Sequence, residues 1–168
     1  MKRQLVFGYG SLPVEESGVS CVLRDHRRAW DVAMDNRESI PGYKFYVDPE
    51  TGERPRVYVA YLSIRPEPGE SVPGLAFPVT DDELEGLDRR ERNYERRDVT
   101  DLVEADLGGR VWAYVGSVAG RNRLAQGRSR GTVVVSRGYL EKVLAAFDGV
   151  MVPDDLPIRA LLRRDIRP

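Results

Sequence analysis

Hydrophobic and polar positions alternate along much of the first two thirds of the chain, and this alternation predicts a series of β-strands. Residues 5–7 form an apolar run that ends abruptly at a glycine, which is typical of a short buried strand. Residues 19–34 alternate loosely and predict one long or bent strand. Residues 43–64 predict a hairpin, with an Asp-Pro-Glu-Thr-Gly turn that begins at Asp48.

Further strands are predicted towards the middle of the chain. Residues 72–79 form an apolar segment that prolines interrupt, which favours a position near a sheet edge or a bend. Residues 94–106 and 110–118 predict two more strands. Because strands dominate and only a few helices accompany them, the sequence predicts an α+β fold with a mostly antiparallel, barrel-like sheet and a few flanking helices.

A helix is predicted at residues 81–92. Thr80 precedes this segment as the N-cap, and Glu83 completes the pattern of a capping box. Asp81 and Asp82 add negative charge to the first turn, where the helix dipole favours it. This start signal is the most specific helical signal in the sequence.

Helical signals return in the last third of the chain. Ser136 is a suitable N-cap for a helix at residues 137–147, and Gly149 can end that helix. Residues 154–166 predict a short last helix. Residues 119–131 are rich in arginine and glycine and are predicted to be a basic loop.

The composition limits the classes of protein to which the chain can belong. With 41% hydrophobic and 32% charged residues, the 168-residue chain is predicted to form one globular domain over residues 1–168. Residues 150–168 are expected to be a C-terminal tail or a short helix of that domain. A formal net charge of −1 gives no overall field that favours nucleic acid or an anionic membrane.

The start of the sequence and its few cysteines and histidines exclude other classes. No apolar run reaches the roughly 18 residues that a membrane span needs, and the first ten residues lack the pattern of a secretion signal. We therefore expect a cytoplasmic protein. Cys21 and His26 are the only cysteine and the only histidine, so neither an internal disulfide nor a site with several imidazole ligands is expected.

Glu91 interrupts the apolar face of the helix predicted at residues 81–92. Leu84 and Leu87 define that face, and helical spacing places Glu91 on the same stripe. A carboxylate in this position is costly unless it is paired or used. Burial would raise its pKa and suit a general base, whereas the alternative is a buried ion pair with Arg89, Arg90, Arg96 or Arg97.

The first strand ends in the sequence Gly8-Tyr9-Gly10, which raises a second question of function. Glycines permit positive φ angles or the close approach of a ligand to bare backbone. Successive free N–H groups at the end of a strand form a cradle for an anion. The other interpretation is a tight turn after a core strand.

The sequences FGYGSL and LDRRERNY together resemble the γ-glutamylcyclotransferase superfamily, including its glutathione-specific ChaC-like branch. The resemblance extends over most of the chain, up to about residue 148. It implies that Tyr9, Gly10, Ser11 and Leu12 form a substrate-binding loop and that Glu91 is the catalytic acid/base. It also implies that Tyr114 and Tyr139 line the pocket.

The resemblance implies a reaction and a substrate class. The reaction is the ring closure of a γ-glutamyl compound to 5-oxoproline with release of an amine, and it uses no metal and no cofactor. The expected partner is this small-molecule substrate, with no nucleic acid and no membrane, and the substrate can be a dipeptide, glutathione or a γ-glutamyl amine. The alternative is a non-catalytic member of the fold that binds a small anion or a protein.

The basic segment leaves three interpretations open. Its arginines, at positions 121, 123, 128 and 130, form a solvated loop, an anion-binding lid or a nucleic-acid contact. The cluster is short and lacks interleaved aromatic residues, which favours a solvated loop. As a lid, the segment would favour leaving groups that carry a carboxylate.

Overall fold

A computed structural model describes residues 3–10 and 18–168 of the chain. The strands are β1 (Arg3–Gly8), β2 (Val19–Asp35), β3 (Lys44–Val47), β4 (Tyr58–Val79), β5 (Tyr94–Asp98), β6 (Gly109–Gly116), β7 (Val133–Ser136), β8 (Ile158–Arg159) and β9 (Leu162–Asp165). The helices are α1 (Asp81–Arg90), α2 (Val118–Arg130) and α3 (Arg137–Ala146), with a short 3₁₀ turn at Thr100–Leu102.

The larger sheet has seven strands in the order β5-β6-β1-β4-β7-β8, with β2 also paired to β4. Its longest pairing, between β2 and β4, is antiparallel, whereas β1–β6, β4–β7 and β7–β8 are parallel. The remaining two strands, β3 and β9, form a separate antiparallel sheet. The α+β prediction is thus confirmed, but the sheet is mixed and its described strands do not close into a barrel.

The first predicted strand is confirmed as the core of the large sheet. Leu5, Val6 and Phe7 are each at most 1% exposed. They pair antiparallel with the end of β4 and parallel with β6. The strand predicted at residues 19–34 is also confirmed, as β2, and irregularities in its register with β4 account for its bend.

The apolar segment at residues 72–79 lies in the middle of the sheet, so the prediction of an edge position is wrong. It is the last part of β4, and Ala76 pairs with both Phe7 of β1 and Val19 of β2. Pro73 lacks an N–H donor, but its carbonyl still accepts a 2.6 Å hydrogen bond from Arg28 Nη2. Pro73 therefore removes one backbone N–H donor from the strand, while its carbonyl still accepts a hydrogen bond.

The hairpin predicted at residues 43–64 has its turn but not its pairing. The Gly52 N–H donates to the Asp48 carbonyl at 2.8 Å, and Gly52 has a φ of +74°. The two arms separate after the turn, because β3 pairs with β9 and β4 pairs with β1, β2 and β7. The side chain of Asn36 bonds to both arms instead: it accepts from the Tyr46 N–H and donates to the Pro55 carbonyl, each at 2.8 Å.

The short helix predicted at residues 154–166 is wrong, because this segment forms strands. Ile158–Arg159 adds to β7, and Leu162–Asp165 pairs with Lys44–Val47. These distant partners supply the backbone hydrogen bonds that a helix would have supplied locally. The C-terminal segment is thus built into the fold through β7 and β3.

Two of the predicted helices are confirmed. In α1, the Thr80 side chain accepts from the Glu83 N–H at 3.1 Å, and the Glu83 carboxylate accepts from the Thr80 N–H. The helix ends at Arg90 rather than at residue 92. In α3, Ser136 is the N-cap as predicted, and the helix ends at Ala146, ahead of Gly149.

The basic segment is a helix, so the prediction of a loop at residues 119–131 is wrong. Ser117 caps α2 by accepting from the Gly120 N–H at 2.9 Å, and Gly131 ends it with a φ of +66°. The buried face of α2 carries Gly120, Leu124 and Gly127. These three residues are spaced as one face of a helix. Because two of them are glycines, the face does not appear as a hydrophobic pattern in the sequence.

No helix among the described residues is long and apolar enough to cross a membrane.

Candidate active site

A cavity of about 310 Å³ lies where the end of α1 meets β3, β4, α3 and β9. Glu91 and the aromatic side chains Tyr43, Tyr61, Tyr94 and Tyr139 line it. Positive side chains line it as well, among them Lys44, Lys142 and Arg163. The cavity thus combines one carboxylate with tyrosine rings and several cations.

Glu91 is the C-cap of α1 and enters the cavity from the end of that helix. Its N–H still donates to the Leu87 carbonyl at 2.9 Å, and its carbonyl accepts from the Tyr94 N–H at 3.1 Å. Leu84 and Leu87 are buried at 5% and 6% exposure, so the apolar stripe is where the sequence predicts it. The stripe therefore continues directly into a half-buried carboxylate.

No arginine that could neutralise Glu91 forms a close ion pair with it among the described residues, although Arg90 lines the same cavity. Arg96 Nε is 3.0 Å from Asp88 Oδ1, and Arg97 Nη2 is 3.3 Å from Glu95 Oε2. Within the described part of the chain, the Glu91 carboxylate makes no ion pair closer than 4.0 Å. The structural ion pair that was the alternative interpretation of Glu91 is therefore not formed by these residues.

Burial raises the pKa of the Glu91 carboxyl, because the charged form loses hydration. The positive charges of Lys44, Arg90 and Arg163 oppose this effect and hold the pKa down in part. A carboxyl with a raised pKa accepts a proton more readily than an exposed glutamate, which suits a general acid/base.

The tyrosines form a rigid wall beside Glu91. The Tyr94 hydroxyl donates to the Leu62 carbonyl at 2.7 Å, and the Tyr139 hydroxyl accepts from the Leu62 N–H at 3.2 Å. The Tyr139 ring packs edge-on against Tyr61 with centroids 4.9 Å apart. Burial raises the pKa of Tyr94 and Tyr61 well above the usual range, so both stay neutral.

Tyr9 lies next to this group of tyrosines, at the end of β1. It is 5% exposed, and its hydroxyl donates to the Tyr114 carbonyl at 2.6 Å. Burial raises the pKa of the Tyr9 hydroxyl, and electrostatic interactions with Tyr139 and Glu91 raise it further. Tyr9, Tyr139 and Glu91 are thus brought close together although they are far apart in the sequence.

Gly10 is buried beside Leu62, and a Cβ placed on it would lie 3.5 Å from Leu62 Cδ2. Neither Gly8 nor Gly10 has a positive φ, so conformational freedom does not explain these glycines. The anion cradle and the tight turn, the two interpretations of the sequence, both stay predictions for these glycines. Ser11 and Leu12 lie outside the residues that the structure describes, so their binding role stays a prediction.

Tyr114 lies apart from the cavity. Its hydroxyl donates to Asp88 Oδ1 at 2.7 Å, and its ring packs with Val6, Leu84 and Leu87 beneath α1. It is not among the residues that line the 310 Å³ cavity. Of the predicted site residues, the structure therefore brings Glu91 and Tyr139 into the cavity and Tyr9 beside it, while Tyr114 supports the helix.

A buried amide orients the chain that follows Glu91. Asn93 is 3% exposed, and its side chain donates to the Tyr43 hydroxyl at 3.2 Å and accepts from Arg123 Nη2 at 2.8 Å. Its carbonyl accepts from the Ser117 N–H at 2.9 Å. This network connects β3, the end of α1 and α2.

Sequence reasoning missed several residues that line the cavity. Asn93 and Tyr94 had a usable signal, because they follow Glu91 within the sequence LDRRERNY. Lys44 and Arg163 had none, because they come together only through the pairing of β3 with β9. Among the described residues, no group of three or more His, Cys, Asp or Glu side chains could hold a metal ion.

Comparisons with known proteins identify a family. The family model described as Gamma-glutamyl cyclotransferase, AIG2-like matches residues 6–130. A solved structure described as Gamma-glutamyl cyclotransferase is 16% identical, with a TM-score of 0.44, and the match covers 92% of this chain and 96% of that one. An uncharacterized protein from Homo sapiens is also 16% identical, with a TM-score of 0.43 and coverage of 92% and 94%. The search of curated proteins found no match.

Proposed function

The chain belongs to the family Gamma-glutamyl cyclotransferase, AIG2-like, and from this premise we propose that it converts a γ-glutamyl compound to 5-oxoproline and a free amine. The observation that supports this function is the half-buried Glu91 carboxylate, which enters the 310 Å³ cavity with no close ion pair among the described residues. Its raised pKa suits proton transfer. As the C-cap of α1, Glu91 has a backbone position that the helix holds in place.

The proposed reaction is intramolecular. The α-amino group, first deprotonated, attacks the γ-carbonyl carbon, so that a new C–N bond closes the ring. The C–N bond to the leaving amine then breaks. The cavity therefore has to hold the substrate in a folded pose, and such positioning can supply up to roughly 7–11 kcal/mol in ideal intramolecular systems.

Glu91 would move the proton that the ring closure requires. The attacking nitrogen loses a proton as it becomes an amide, and Glu91 accepts it. Glu91 then delivers the proton to the leaving nitrogen, so that the amine departs neutral. A typical α-amino group has a pKa of about 7.7–8.0, so part of the substrate already carries the neutral amine at neutral pH, its first proton having gone to the solvent. Glu91 acts on the second proton, which the attacking nitrogen loses on ring closure.

The end of β1 would bind the γ-glutamyl unit. Tyr9 interacts electrostatically with Glu91 and Tyr139, and Gly10 lies beside Leu62, whose N–H donates to the Tyr139 hydroxyl. The bare Gly10 backbone would allow a carboxylate to approach its N–H. Tyr94 and Tyr139 bound the space in which the substrate folds. Ser11 and Leu12 continue this loop in the sequence and complete the predicted binding segment.

The experiment that tests the function is incubation with a panel of γ-glutamyl dipeptides, glutathione and γ-glutamyl amines, with 5-oxoproline detected by mass spectrometry. Glu91→Gln keeps the shape of the side chain and removes proton transfer, so we expect turnover to fall by about 10²–10⁴-fold. Glu85→Gln is the matched control, because Glu85 is exposed on the same helix. Equal turnover in the parent and Glu91→Gln would refute the assignment, and binding without turnover by the parent would indicate a non-catalytic member of the fold.

A further inference from the structure

The lining of the cavity is strongly positive. Lys44, Arg90, Arg92, Lys142 and Arg163 line it, against the single carboxylate of Glu91. Lys142 and Arg163 lie beyond residue 130, where the match to the family model ends. These two cations thus come from the part of the chain that this comparison does not cover.

The pairing of β3 with β9 brings Lys44 and Arg163 to one face. Lys44 lies opposite Asp165 and Tyr46 lies opposite Arg163, so the side chains of all four share one face of the two-stranded sheet. That face meets β4, because the Tyr46 hydroxyl is 2.7 Å from the Tyr61 hydroxyl. Lys44 Nζ is 4.3 Å from the centroid of the Tyr61 ring.

Lys44 lacks a close negative partner. Among the described residues, it makes no ion pair within 4.0 Å, and its ammonium contacts the rings of Tyr43 and Tyr61. Burial lowers the pKa of Lys44 to about 8, and the positive charges of Arg163 and Lys142 contribute to this effect, whereas the negative charges of Glu91 and Asp165 oppose it in part. An anion bound here would relieve both the loss of hydration and the repulsion between like charges.

Arg163 and Lys142 complete the positive lining. Arg163 Nε is 3.0 Å from Asp165 Oδ1, with both side chains more than half exposed at 59% and 73%. An exposed pair of this kind is weak and leaves the guanidinium able to contact a ligand as well. Lys142 lies on α3, near the cavity residue Tyr139.

Lys44, Lys142 and Arg163 reach the cavity from β3, α3 and β9, whereas Tyr9 and Gly10 follow β1. Glu91 interacts electrostatically both with Tyr9 at the end of β1 and with Lys44 on β3, so both groups lie within range of its charge. With the γ-glutamyl unit held at Tyr9 and Gly10, the scissile amide would lie at Glu91. The leaving amine would then point towards β3 and β9.

We infer that Lys44, Lys142 and Arg163 form a subsite that binds a carboxylate on the leaving group of the substrate. The inference rests on the proposed function and narrows its substrate class to γ-glutamyl amino acids and peptides, in preference to γ-glutamyl amines without that carboxylate. It makes these three side chains specificity determinants, whereas Glu91 performs the proton transfer.

None of the four arginines of α2 lines the cavity, contrary to the lid that the sequence left open. Arg121 Nη1 donates to the Gly116 carbonyl at 2.8 Å, and Arg123 donates to Asn93 and to the Ala33 carbonyl. Arg128 pairs with Asp155. These guanidinium groups bind other parts of the chain itself.

The test compares two substrates that differ only by the carboxylate, γ-glutamylalanine and γ-glutamylethylamide. We expect the parent to favour γ-glutamylalanine by about tenfold or more in kcat/KM, the effect of one hydrogen-bonded charge pair. Lys44→Met should reduce this ratio several-fold, and Lys44→Arg should retain most of it. Lys44 also affects the pKa of Glu91, and a change in that base alters the turnover of both substrates alike. The ratio of the two kcat/KM values therefore isolates the effect on the carboxylate.

Arg164→Gln provides the matched control. Arg164 lies on the same strand as Arg163 but on the other face, opposite Phe45, so the variant loses the same charge without touching the cavity. We expect the substrate ratio to stay at the parent value in Arg164→Gln and to fall in Arg163→Gln. Equal falls in the two variants would mean that the strand contributes only a general positive field and would overturn the subsite.

Binding measurements separate this inference from the proposed function. Calorimetry with Glu91→Gln protein gives the Kd of both compounds without turnover. A carboxylate-dependent difference in Kd that Lys44→Met abolishes supports the subsite, even if no compound of the panel yields 5-oxoproline. Equal Kd values for the two compounds, or binding of neither, would overturn the subsite whatever the outcome of the activity assay.

Discussion

Arg123 donates a 2.8 Å hydrogen bond to the side chain of Asn93 and so ties α2 to the segment that follows Glu91. The same guanidinium donates to the Ala33 carbonyl at 2.7 Å, which adds β2 to the connection. Asn93 in turn donates to the Tyr43 hydroxyl in the wall of the cavity. An arginine that the sequence placed in a basic loop is therefore a structural support of the candidate site.

Arg123→Ala should lower the free energy of unfolding by about 1–3 kcal/mol, because it leaves buried acceptors on Asn93 and Ala33 without their donor. Arg128 pairs instead with Asp155, and their side chains are 42% and 54% exposed. Arg128→Ala should therefore lower the free energy of unfolding by less than about 1 kcal/mol. Urea unfolding of both variants measures the difference. Equal losses of stability in the two variants would show that the buried hydrogen bonds of Arg123 stabilise the fold no more than the exposed ion pair of Arg128 does.

The pH dependence of turnover should report the environment of Glu91. Glu91 must be ionised to act as a base, and burial raises its pKa, so the acid limb of kcat/KM should lie above the ordinary glutamate pKa of about 4.3. Lys44 favours the ionised form, since its positive charge lowers the pKa of Glu91. Lys44→Met should therefore move the acid limb to higher pH.

This profile is best measured with γ-glutamylethylamide, which lacks the carboxylate that the inferred subsite binds. Lys44→Arg keeps the positive charge and should leave the limb near that of the parent. The other charged groups that face Lys44, namely Arg163, Asp165, Lys142 and Glu91 itself, are unchanged in both variants. A limb that stays in place or moves to lower pH in Lys44→Met contradicts the predicted coupling.

Gly10→Ala separates the role of Gly10 in binding from its role in the fold. The added methyl group would meet Leu62 at 3.5 Å, an ordinary contact distance, and Gly10 does not have a positive φ, so stability should be unchanged. The methyl group should obstruct a ligand at the backbone, and the Kd for 5-oxoproline should rise by about tenfold or more if a charge-assisted hydrogen bond is lost. Calorimetry gives the Kd, and unchanged affinity in a stable variant argues against the anion cradle.

Glycine-to-alanine changes in two helices should have opposite effects on stability. A Cβ on Gly120 in α2 would lie 2.8 Å from the Asn93 carbonyl oxygen, so overpacking should cost about 1–3 kcal/mol. A Cβ on Gly138 in α3 would meet nothing within 4 Å, so Gly138→Ala should be neutral or stabilising by up to about 1 kcal/mol. Thermal unfolding of the two variants tests this, because helix propensity alone predicts the same sign for both.

The sequence by itself determined the features that depend on neighbouring residues. The capping box of Thr80 and Glu83, the buried strand at residues 5–7 and the Ser136 cap are all present as predicted. The exceptional position of Glu91 was also visible, because a helix repeats its faces every three to four residues and the stripe of Leu84 and Leu87 leads to it. Local periodicity and short-range hydrogen bonds suffice for such features.

Only the tertiary structure decided which distant segments meet. The turn after Asp48 was predictable, but the sequence could not show that β3 pairs with β9 instead of β4, because an alternating pattern specifies a strand and not its partner. The buried face of α2 escaped detection because Gly120 and Gly127 pack by their lack of side chains rather than by apolar surface. Arg163 reaches the cavity of Glu91 only through the register of β3 and β9, and long-range backbone pairing of this kind leaves no local signal in the sequence.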